Sequence, residues 1–208
     1  MSSNDKIEKY FFSRANEFLI DRENRKFEFD HKNKYVVEFF ISFFFNHEKL
    51  EKLGGDFRKG IFLYGSYGSG KSLLFEILEY LYQKIKKPIL RVKTVNTIRL
   101  VDEYRSELSR LGQLASNDQT IYQKMEKGPI HFEDLGAEKK INHYGNQTEV
   151  MSDILQLRYS RFFKTKCKTF ITSNLTPEQV KKRYGERVYD RMFQMFNFLE
   201  LNGESRRK

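Results

Sequence analysis

The chain has 208 residues, 39% of them hydrophobic, with a formal net charge of +10 and one cysteine. This length supports one full hydrophobic core but not two ordinary domains, and a single cysteine excludes an intramolecular disulfide framework or a cysteine-only metal site. The basic charge favours a polyanionic partner such as nucleic acid, with solubility alone as the alternative explanation.

The N-terminal region begins with an amphipathic helix. Apolar residues from Ile7 to Leu19 recur at helical spacing, and they either bind a groove on a partner protein or cover the protein's own core. The first residues lack the basic-then-apolar order of a signal peptide, and the Phe-rich stretch from Val36 to Phe45 is too short to span a bilayer. We therefore expect a cytoplasmic protein with no membrane partner and a short helical N-terminal extension over residues 1–50.

Apolar runs alternate with helical patterns from residue 60 onwards. The predicted strands lie near residues 60, 90, 131, 171 and 199, and the predicted helices span Ser72–Lys87, Ile98–Leu111, Glu149–Phe163 and Pro177–Phe196. Apolar runs without polar alternation are typical of strands covered on both faces, as in parallel sheets. We predict a three-layer α/β domain over residues 51–208, with a five-stranded parallel sheet and ligands beyond the carboxyl ends of its strands. The polar stretch after Leu111 is predicted to be a loop.

A phosphate-binding motif follows the first predicted strand. The sequence GSYGSGKS matches G-x-x-x-x-G-K-[ST] and directly precedes the first predicted helix. Glycines let backbone N–H groups wrap a phosphate at a helix N-terminus, the lysine reaches the β and γ phosphates, and the hydroxyl binds Mg²⁺. An accidental glycine loop is the alternative. The residues predicted to contact the nucleotide are Gly65, Ser66, Tyr67, Gly68, Ser69, Gly70, Lys71, Ser72 and Leu73.

Two adjacent acidic residues end the third predicted strand, in the sequence IHFED. In P-loop ATPases an acidic residue at such a strand end organises Mg²⁺ together with the P-loop hydroxyl. Because successive strand side chains point to opposite faces, we assign Glu133 to Mg²⁺ with Ser72, and Asp134 to the attacking water. The usual order is Asp then Glu, and Asp134 is one methylene shorter than a glutamate, so we predict slow intrinsic hydrolysis. A solvated acidic turn is the alternative.

The fourth predicted strand ends in ITSN, where Asn174 is the candidate for contacting the γ-phosphate or the attacking water and Ser173 is its neighbour. The alternative is that Thr172 to Asn174 cap the next helix. No N-K-x-D sequence follows this strand, which disfavours guanine, so we predict ATP with Mg²⁺.

Two arginines in the next predicted helix complete the candidate site. Arg187 and Arg191 are four residues apart and share a helical face. An arginine that meets the γ-phosphate from a neighbouring subunit accelerates phosphoryl transfer strongly. Surface ion pairs with Glu186 or Asp190 are the alternative.

Four stretches together resemble the DnaC/DnaI helicase-loader and IstB transposition-helper group of AAA+ ATPases: YGSYGSGKS, FEDLGAE, TFITSNLTPEQVKKRYGERVYDRM and NGESRR. The resemblance covers residues 55–208. It implies a RecA-like AAA+ core that binds ATP and assembles with nucleotide at subunit interfaces. On matching positions it implies sensor 1 for Asn174, the arginine finger for Arg191, a second arginine of that box for Arg187 and sensor 2 for Arg207. We expect no C-terminal helical lid, or a minimal one.

The resemblance also implies work on DNA beside a replicative helicase or a transposase. The leading expectation is an ATPase that forms homo-oligomers on single-stranded DNA and helps to place a helicase. The alternatives are an IstB-like transposition helper, a P-loop small-molecule kinase, and a regulatory module that binds ATP without turnover. The candidates for DNA contact are Lys84, Lys86, Lys87, Arg91, Lys93, Lys164, Lys166, Lys168, Lys181, Lys182, Arg183 and Tyr122.

Overall fold

The structure is a computed structural model that describes residues 3–45, 47–84, 91–110, 119–143, 146–165 and 167–206. Its strands are β1 (Gly60–Tyr64), β2 (Lys93–Asn96), β3 (Ile130–Leu135), β4 (Ile141–His143), β5 (Asn146–Thr148), β6 (Thr169–Ser173) and β7 (Phe196–Glu200). Its helices are α1 (Ser3–Glu23), α2 (Lys34–Phe45), α3 (His47–Lys52), α4 (Lys71–Lys84), α5 (Thr97–Ser109), α6 (Ile121–Met125), α7 (Val150–Thr165), α8 (Pro177–Tyr184) and α9 (Glu186–Met195). Among the described residues, no helix combines the length and the apolar character that crossing a membrane requires.

Five strands form one parallel sheet in the order β2-β3-β6-β1-β7. Within it, Tyr64 of β1 and Leu135 of β3 are both level with Ser173 of β6. Three neighbouring strands therefore end side by side at one edge, where open α/β sheets bind their ligands. The predicted α/β class and the five-stranded parallel sheet are confirmed.

The strands form where apolar side chains run without polar interruption. Every residue of β6 is buried, and in β1 only Tyr64 is not fully buried. Burial on both faces explains why the sequence shows apolar runs instead of alternation. The second strand was predicted near residue 90, and β2 begins at Lys93; residues 85–90 lie outside the described part of the chain.

Three elements differ from the prediction. The predicted helix Pro177–Phe196 is divided into α8 and α9 at Gly185, whose φ of 93° lies outside the helical region. The loop predicted after Leu111 contains α6, which begins with a capping box at Thr120; residues 111–118 lie outside the described residues. An antiparallel hairpin of β4 and β5, which the prediction lacked, follows β3.

The chain divides into two compact units, and the first contains residues 1–57, 65–91 and 199–208. In this unit α1 packs against α4 and α2 and buries Phe11, Ala15 and Leu19. Tyr80 of α4 donates a hydrogen bond of 2.6 Å to Glu17 of α1. The apolar stripe of α1 therefore covers the protein's own core, which was one of the two predicted alternatives. The domain boundary predicted at residue 50 stays a prediction.

The second compact unit contains residues 58–64 and 92–198. Its core includes Phe62 of β1 and Phe132 of β3, both with no exposed surface. The same unit also buries a charged side chain, Arg158 of α7, which is 0% exposed. Arg158 donates hydrogen bonds to the backbone ahead of β3 and β6, so it fastens the amino ends of two neighbouring strands.

Candidate functional site

The P-loop connects β1 to α4, as predicted. Gly65 follows Tyr64, the last residue of β1, and Lys71 is the first residue of α4. The φ angles of Gly65, Gly68 and Gly70 are 139°, 74° and 101°, which residues with a side chain rarely adopt. The loop therefore has a backbone that glycine permits, and it leads into a helix N-terminus of the kind that binds anions.

The lysine of the motif is folded back into the loop. Lys71 is 5% exposed, and its Nζ donates to the carbonyl oxygens of Gly65 at 3.0 Å and Ser66 at 2.7 Å. Ser69 is 2% exposed, and its hydroxyl has no hydrogen-bond partner among the described residues. Among the other residues predicted to contact the nucleotide, Tyr67 is exposed, and Ser72 and Leu73 are half-buried. The loop thus combines a buried ammonium with an unpaired hydroxyl, both suited to an incoming anion.

The C-terminal segment, Asn202–Arg206, packs along the P-loop within the first compact unit. The Ser66 hydroxyl donates to the carbonyl oxygen of Gly203 at 2.7 Å and accepts the N–H of Gly203 at 3.1 Å. The N–H of Arg206 donates to the carbonyl oxygen of Gly68 at 2.9 Å. Both halves of the P-loop are therefore held by backbone groups of this segment, a contact that the sequence prediction did not include.

Gly68→Ala is expected to destabilise the protein by about 2–3 kcal/mol. A left-handed backbone costs a residue with Cβ roughly 1–2 kcal/mol, and Gly68 has a φ of 74°. A Cβ there would also lie 2.8 Å from Ser205 Cβ and 3.0 Å from Ser205 Cα, so the C-terminal segment has to move. The free energy of unfolding in urea measures this loss.

Gly54→Ala is the matched control for this substitution. Gly54 has nearly the same φ, 76°, in the same compact unit, but a Cβ there meets no heavy atom within 4 Å. Gly54→Ala should therefore lose only the stability that the left-handed backbone costs a residue with Cβ. Equal losses of stability in the two variants would contradict the close packing of Ser205 against the P-loop.

A pocket opens beside the P-loop within the first compact unit. Its empty space is about 310 Å³, including the part open to solvent. The Arg206 guanidinium lies at its wall and pairs with Asp30 at 2.7 Å. Only the P-loop side of this pocket has a sequence motif; the other walls come from distant segments without one, so the sequence does not predict the pocket. The lining residues are Arg25, Phe27, Glu28, Asn33, Val37, Ser69, Gly70, Leu73, Leu74, Leu201 and Arg206.

The acidic pair lies at the carboxyl end of β3, and both residues are half-buried. The pairing of β3 with β6 shifts register between Phe132 and Leu135, so the strand contains a bulge at Glu133 and Asp134. The regular alternation that the sequence prediction assumed for these two residues is therefore interrupted. Asn96, the N-cap of α5, places its Nδ2 3.5 Å from Glu133 Oε2.

Asn174 follows β6 at the same edge of the sheet. Its neighbour Ser173 is 0% exposed and donates its hydroxyl to the carbonyl oxygen of Leu135 at 2.6 Å, so Ser173 joins two strands. The next helix is capped by Thr176, with Pro177 in its first turn. Helix capping therefore does not account for Asn174, and its predicted role at the γ-phosphate stays a prediction.

The two predicted arginines lie on α9. Arg187 is exposed, whereas Arg191 is half-buried and stacks over the ring of Tyr159 at 4.4 Å from Cζ to the centroid. Glu186, one of the two predicted ion-pair partners, pairs with Lys181 at 2.8 Å. Asp190, the other, is exposed, and within the described part of the chain no ion pair joins it to either arginine. Arg207, the predicted sensor 2, lies outside the described residues.

Some candidates for DNA contact have other structural roles. Arg183 donates hydrogen bonds to the carbonyl oxygens of Gly136 and Glu138, so its guanidinium holds the turn after β3. Tyr122 packs against Tyr104, with 5.2 Å between ring centroids, and donates its hydroxyl to Asp153 at 3.2 Å. Lys168 is buried, and Lys86, Lys87 and Lys166 lie outside the described residues. The exposed candidates are Lys84, Arg91, Lys93, Lys164, Lys181 and Lys182.

No known protein-family model matches the chain, and no curated protein matches it in sequence. Solved structures do match. The DnaC helicase loader has a TM-score of 0.56 at 20% identity, over 93% of this chain and 99% of that chain. The chain shares the α/β fold of this helicase loader.

Two DnaA structures match over a smaller share of their length. AMPPCP-bound DnaA from Aquifex aeolicus has a TM-score of 0.55 at 17% identity, over 84% of this chain and 48% of that chain. DnaA bound to AMPPCP and single-stranded DNA has a TM-score of 0.55 at 17% identity, over 86% of this chain and 49% of that chain. The chain therefore spans about half the length of these DnaA proteins. The predicted resemblance to the DnaC/DnaI group is confirmed for the fold.

Proposed function

We propose that this protein is an ATPase that acts on DNA during replication, most similar in role to a DnaC-type helicase loader. The observation that carries the proposal is a complete P-loop between β1 and α4 in a chain whose fold extends over nearly all of the DnaC helicase loader. The AMPPCP-bound DnaA structure supports an adenine nucleotide as ligand. The finer assignments below are part of the same proposal.

In the proposed reaction, the oxygen of a water molecule forms a bond to the γ-phosphorus of ATP while the bond to the β–γ bridging oxygen breaks. The bonding electron pair leaves with ADP, and the carboxylate of Asp134 takes the water's proton. Lys71 and the amides of the P-loop bind the β and γ phosphates. Asn174 hydrogen-bonds the γ-phosphate or the water, and Arg191, with Arg187 beside it, reaches the nucleotide of a neighbouring subunit.

The metal proposed for this site is Mg²⁺, held by Ser72 and Glu133. A hydroxyl and a carboxylate are oxygen donors of the kind that Mg²⁺ prefers, and it usually keeps several waters of its own. Both residues are half-buried, so each has surface left for a hydrated ion. Bound Mg²⁺ would neutralise charge on the β and γ phosphates.

We place the nucleobase in the pocket beside the P-loop. Its apolar walls, which include Phe27, Val37 and Leu74, suit the faces of a purine ring. Asn33 offers polar groups at the same wall, although its amide already donates to the carbonyl oxygen of Glu28 at 2.7 Å. This assignment explains how a segment without a sequence motif contributes to nucleotide binding.

The DNA partner is proposed to be single-stranded. The support is the net charge of +10, the exposed lysines and arginines described above, and the single-stranded DNA bound by DnaA. A replicative helicase is the proposed protein partner, by likeness to the DnaC helicase loader. A transposase is the second candidate partner. An IstB-like transposition helper has the same core but should prefer duplex DNA.

The decisive experiment measures release of phosphate from ATP with single-stranded DNA, with duplex DNA and without DNA. We expect slow basal hydrolysis that single-stranded DNA stimulates several-fold, roughly 1 kcal/mol in the barrier. Lys71→Ala supplies the background, since it removes the cation that contacts the phosphates. Stimulation by duplex DNA alone would favour the transposition helper.

Two results would overturn the proposal. A small molecule phosphorylated at the expense of ATP, with no response to DNA, would establish a kinase. Tight binding of ATP with Mg²⁺ but no hydrolysis above the Lys71→Ala background, in the presence of DNA and at high protein concentration, would leave a regulatory nucleotide-binding module.

A further inference from the structure

Asp134 has an unusual backbone conformation. Its φ is 57°, in the left-handed region that costs a residue with Cβ roughly 1–2 kcal/mol. The conformation occurs at the bulge of β3, where Glu133 and Asp134 together lie opposite Thr172 of β6, between the aligned pairs Phe132–Ile171 and Leu135–Ser173. Such strain persists only where surrounding contacts determine it, and it concentrates at functional sites.

Two threonine hydroxyls hold the backbone of Asp134. Thr97 of α5 donates its hydroxyl to the carbonyl oxygen of Asp134 at 3.0 Å. The N–H of Asp134 donates to the hydroxyl oxygen of Thr172 at 3.4 Å. Both threonines are 0% exposed, so water does not compete for these bonds. The peptide groups on both sides of Asp134 are thus fixed by side chains from different elements.

His131 orients one of these hydroxyls. It is 0% exposed, with Nε2 3.0 Å from Thr172 Oγ1 and Nδ1 3.3 Å from Thr94 Oγ1. Each ring nitrogen of His131 therefore faces a hydroxyl, and the buried ring lies between Thr94 of β2 and Thr172 of β6.

We infer that Thr172 and Thr97 are positioning residues for ATP hydrolysis: their hydroxyls fix the left-handed backbone from which Asp134 presents its carboxylate to the attacking water. The inference rests on the proposed function. A displacement of about 1 Å in a catalytic group can reduce the rate by two orders of magnitude. Loss of either hydroxyl should therefore affect the chemical step and leave the P-loop unchanged.

The test compares Thr172→Val with Thr172→Ser. Valine keeps the volume and removes the hydroxyl, so we expect kcat to fall about 10-fold by loss of positioning, while KM and the Kd for ATP with Mg²⁺ stay within twofold of wild type. Serine restores the hydroxyl and should recover most of kcat. If serine loses as much activity as valine, packing of the methyl group is what matters and the inference fails.

Thr169→Val is the matched control. Thr169 lies at the other end of β6, is 2% exposed and accepts a hydrogen bond from Arg158 at 2.8 Å. Its replacement should lower stability as Thr172→Val does, yet leave kcat per folded molecule unchanged. Should Thr172→Val not fold, Thr97→Val and Thr97→Ser give the same comparison for the second hydroxyl.

Different results would overturn the proposed ATPase function and the positioning role of the two threonines. Wild-type protein that hydrolyses no ATP with DNA present overturns the proposed function. Wild-type protein that hydrolyses ATP, with Thr172→Val and Thr97→Val both turning over at the wild-type rate, overturns only the positioning role.

Discussion

Asp134→Asn is expected to reduce ATP turnover by about 100-fold or more, because a positioned general base contributes roughly 10²–10⁴-fold. The amide has the shape of the carboxylate but does not take a proton from water. Asparagine also tolerates the left-handed conformation that Asp134 adopts, so the bulge and the two threonine bonds should remain. Single-turnover hydrolysis with saturating ATP and single-stranded DNA measures the effect.

Binding of ATP should survive this change, since Asp134 belongs to neither the P-loop nor the pocket beside it. Titration with a fluorescent ATP analogue checks that point. Asp153→Asn is the control for the same chemical change elsewhere: Asp153 lies in the first turn of α7, where it accepts a hydrogen bond from Tyr122. Wild-type turnover in Asp134→Asn would remove Asp134 from the chemical step and direct attention to Glu133.

Arg158→Met is expected to destabilise the protein by about 2–3 kcal/mol, because several buried acceptors lose a charged donor at once. The Arg158 guanidinium donates to the carbonyl oxygens of Met125 at 2.6 Å, Gly128 at 2.9 Å and Lys168 at 2.7 Å. Its Nε donates to Thr169 Oγ1 at 2.8 Å. Methionine fills the volume but removes all four donations. The carbonyl oxygen of Gly128 keeps the Cys167 thiol at 3.0 Å and that of Lys168 keeps the N–H of Ile130 at 3.2 Å. Equilibrium unfolding in urea measures the loss.

Arg161→Met on the same helix is the comparison. Arg161 pairs with Glu126 at 2.7 Å, but its side chain is 42% exposed, so its loss should cost less than about 1 kcal/mol. Arg158→Lys should lie between the two, because an ammonium keeps the charge but not the forked geometry that reaches several carbonyls. A loss below 1 kcal/mol in Arg158→Met would show that the acceptors find other donors. Turnover per folded molecule should stay at the wild-type level, because Arg158 contacts the amino ends of the strands.

Local signals in the sequence were enough to place the strands and the P-loop. The apolar runs of β1, β3 and β6 and the glycines before Lys71 are each contiguous, so their physical meaning does not depend on distant residues. The division of α8 from α9 also has a local signal, because Gly185 is a residue type that commonly ends a helix. The capping box of α6 at Thr120 and Gln123 is a local signal too, although the polar composition around it favours a loop.

Other features had no local signal. The bulge at Asp134 depends on hydroxyls from α5 and β6, which are distant in the chain from β3, so IHFED by itself reads as a regular strand. The contacts of the C-terminal segment with Ser66 and Gly68 likewise join residues more than a hundred positions apart. His131 gave no sign of a role, since a lone histidine in a buried strand looks the same whether or not it orients a neighbour.

The left-handed conformation at position 134 also bears on the reversed order of the acidic pair. Among residues with a side chain, aspartate and asparagine are several-fold enriched in that conformation, and glutamate is not. A strand end built on this bulge therefore favours aspartate at the second position, and the longer acid lies at position 133. The Glu-Asp order then matches the conformational preference of the main chain at position 134.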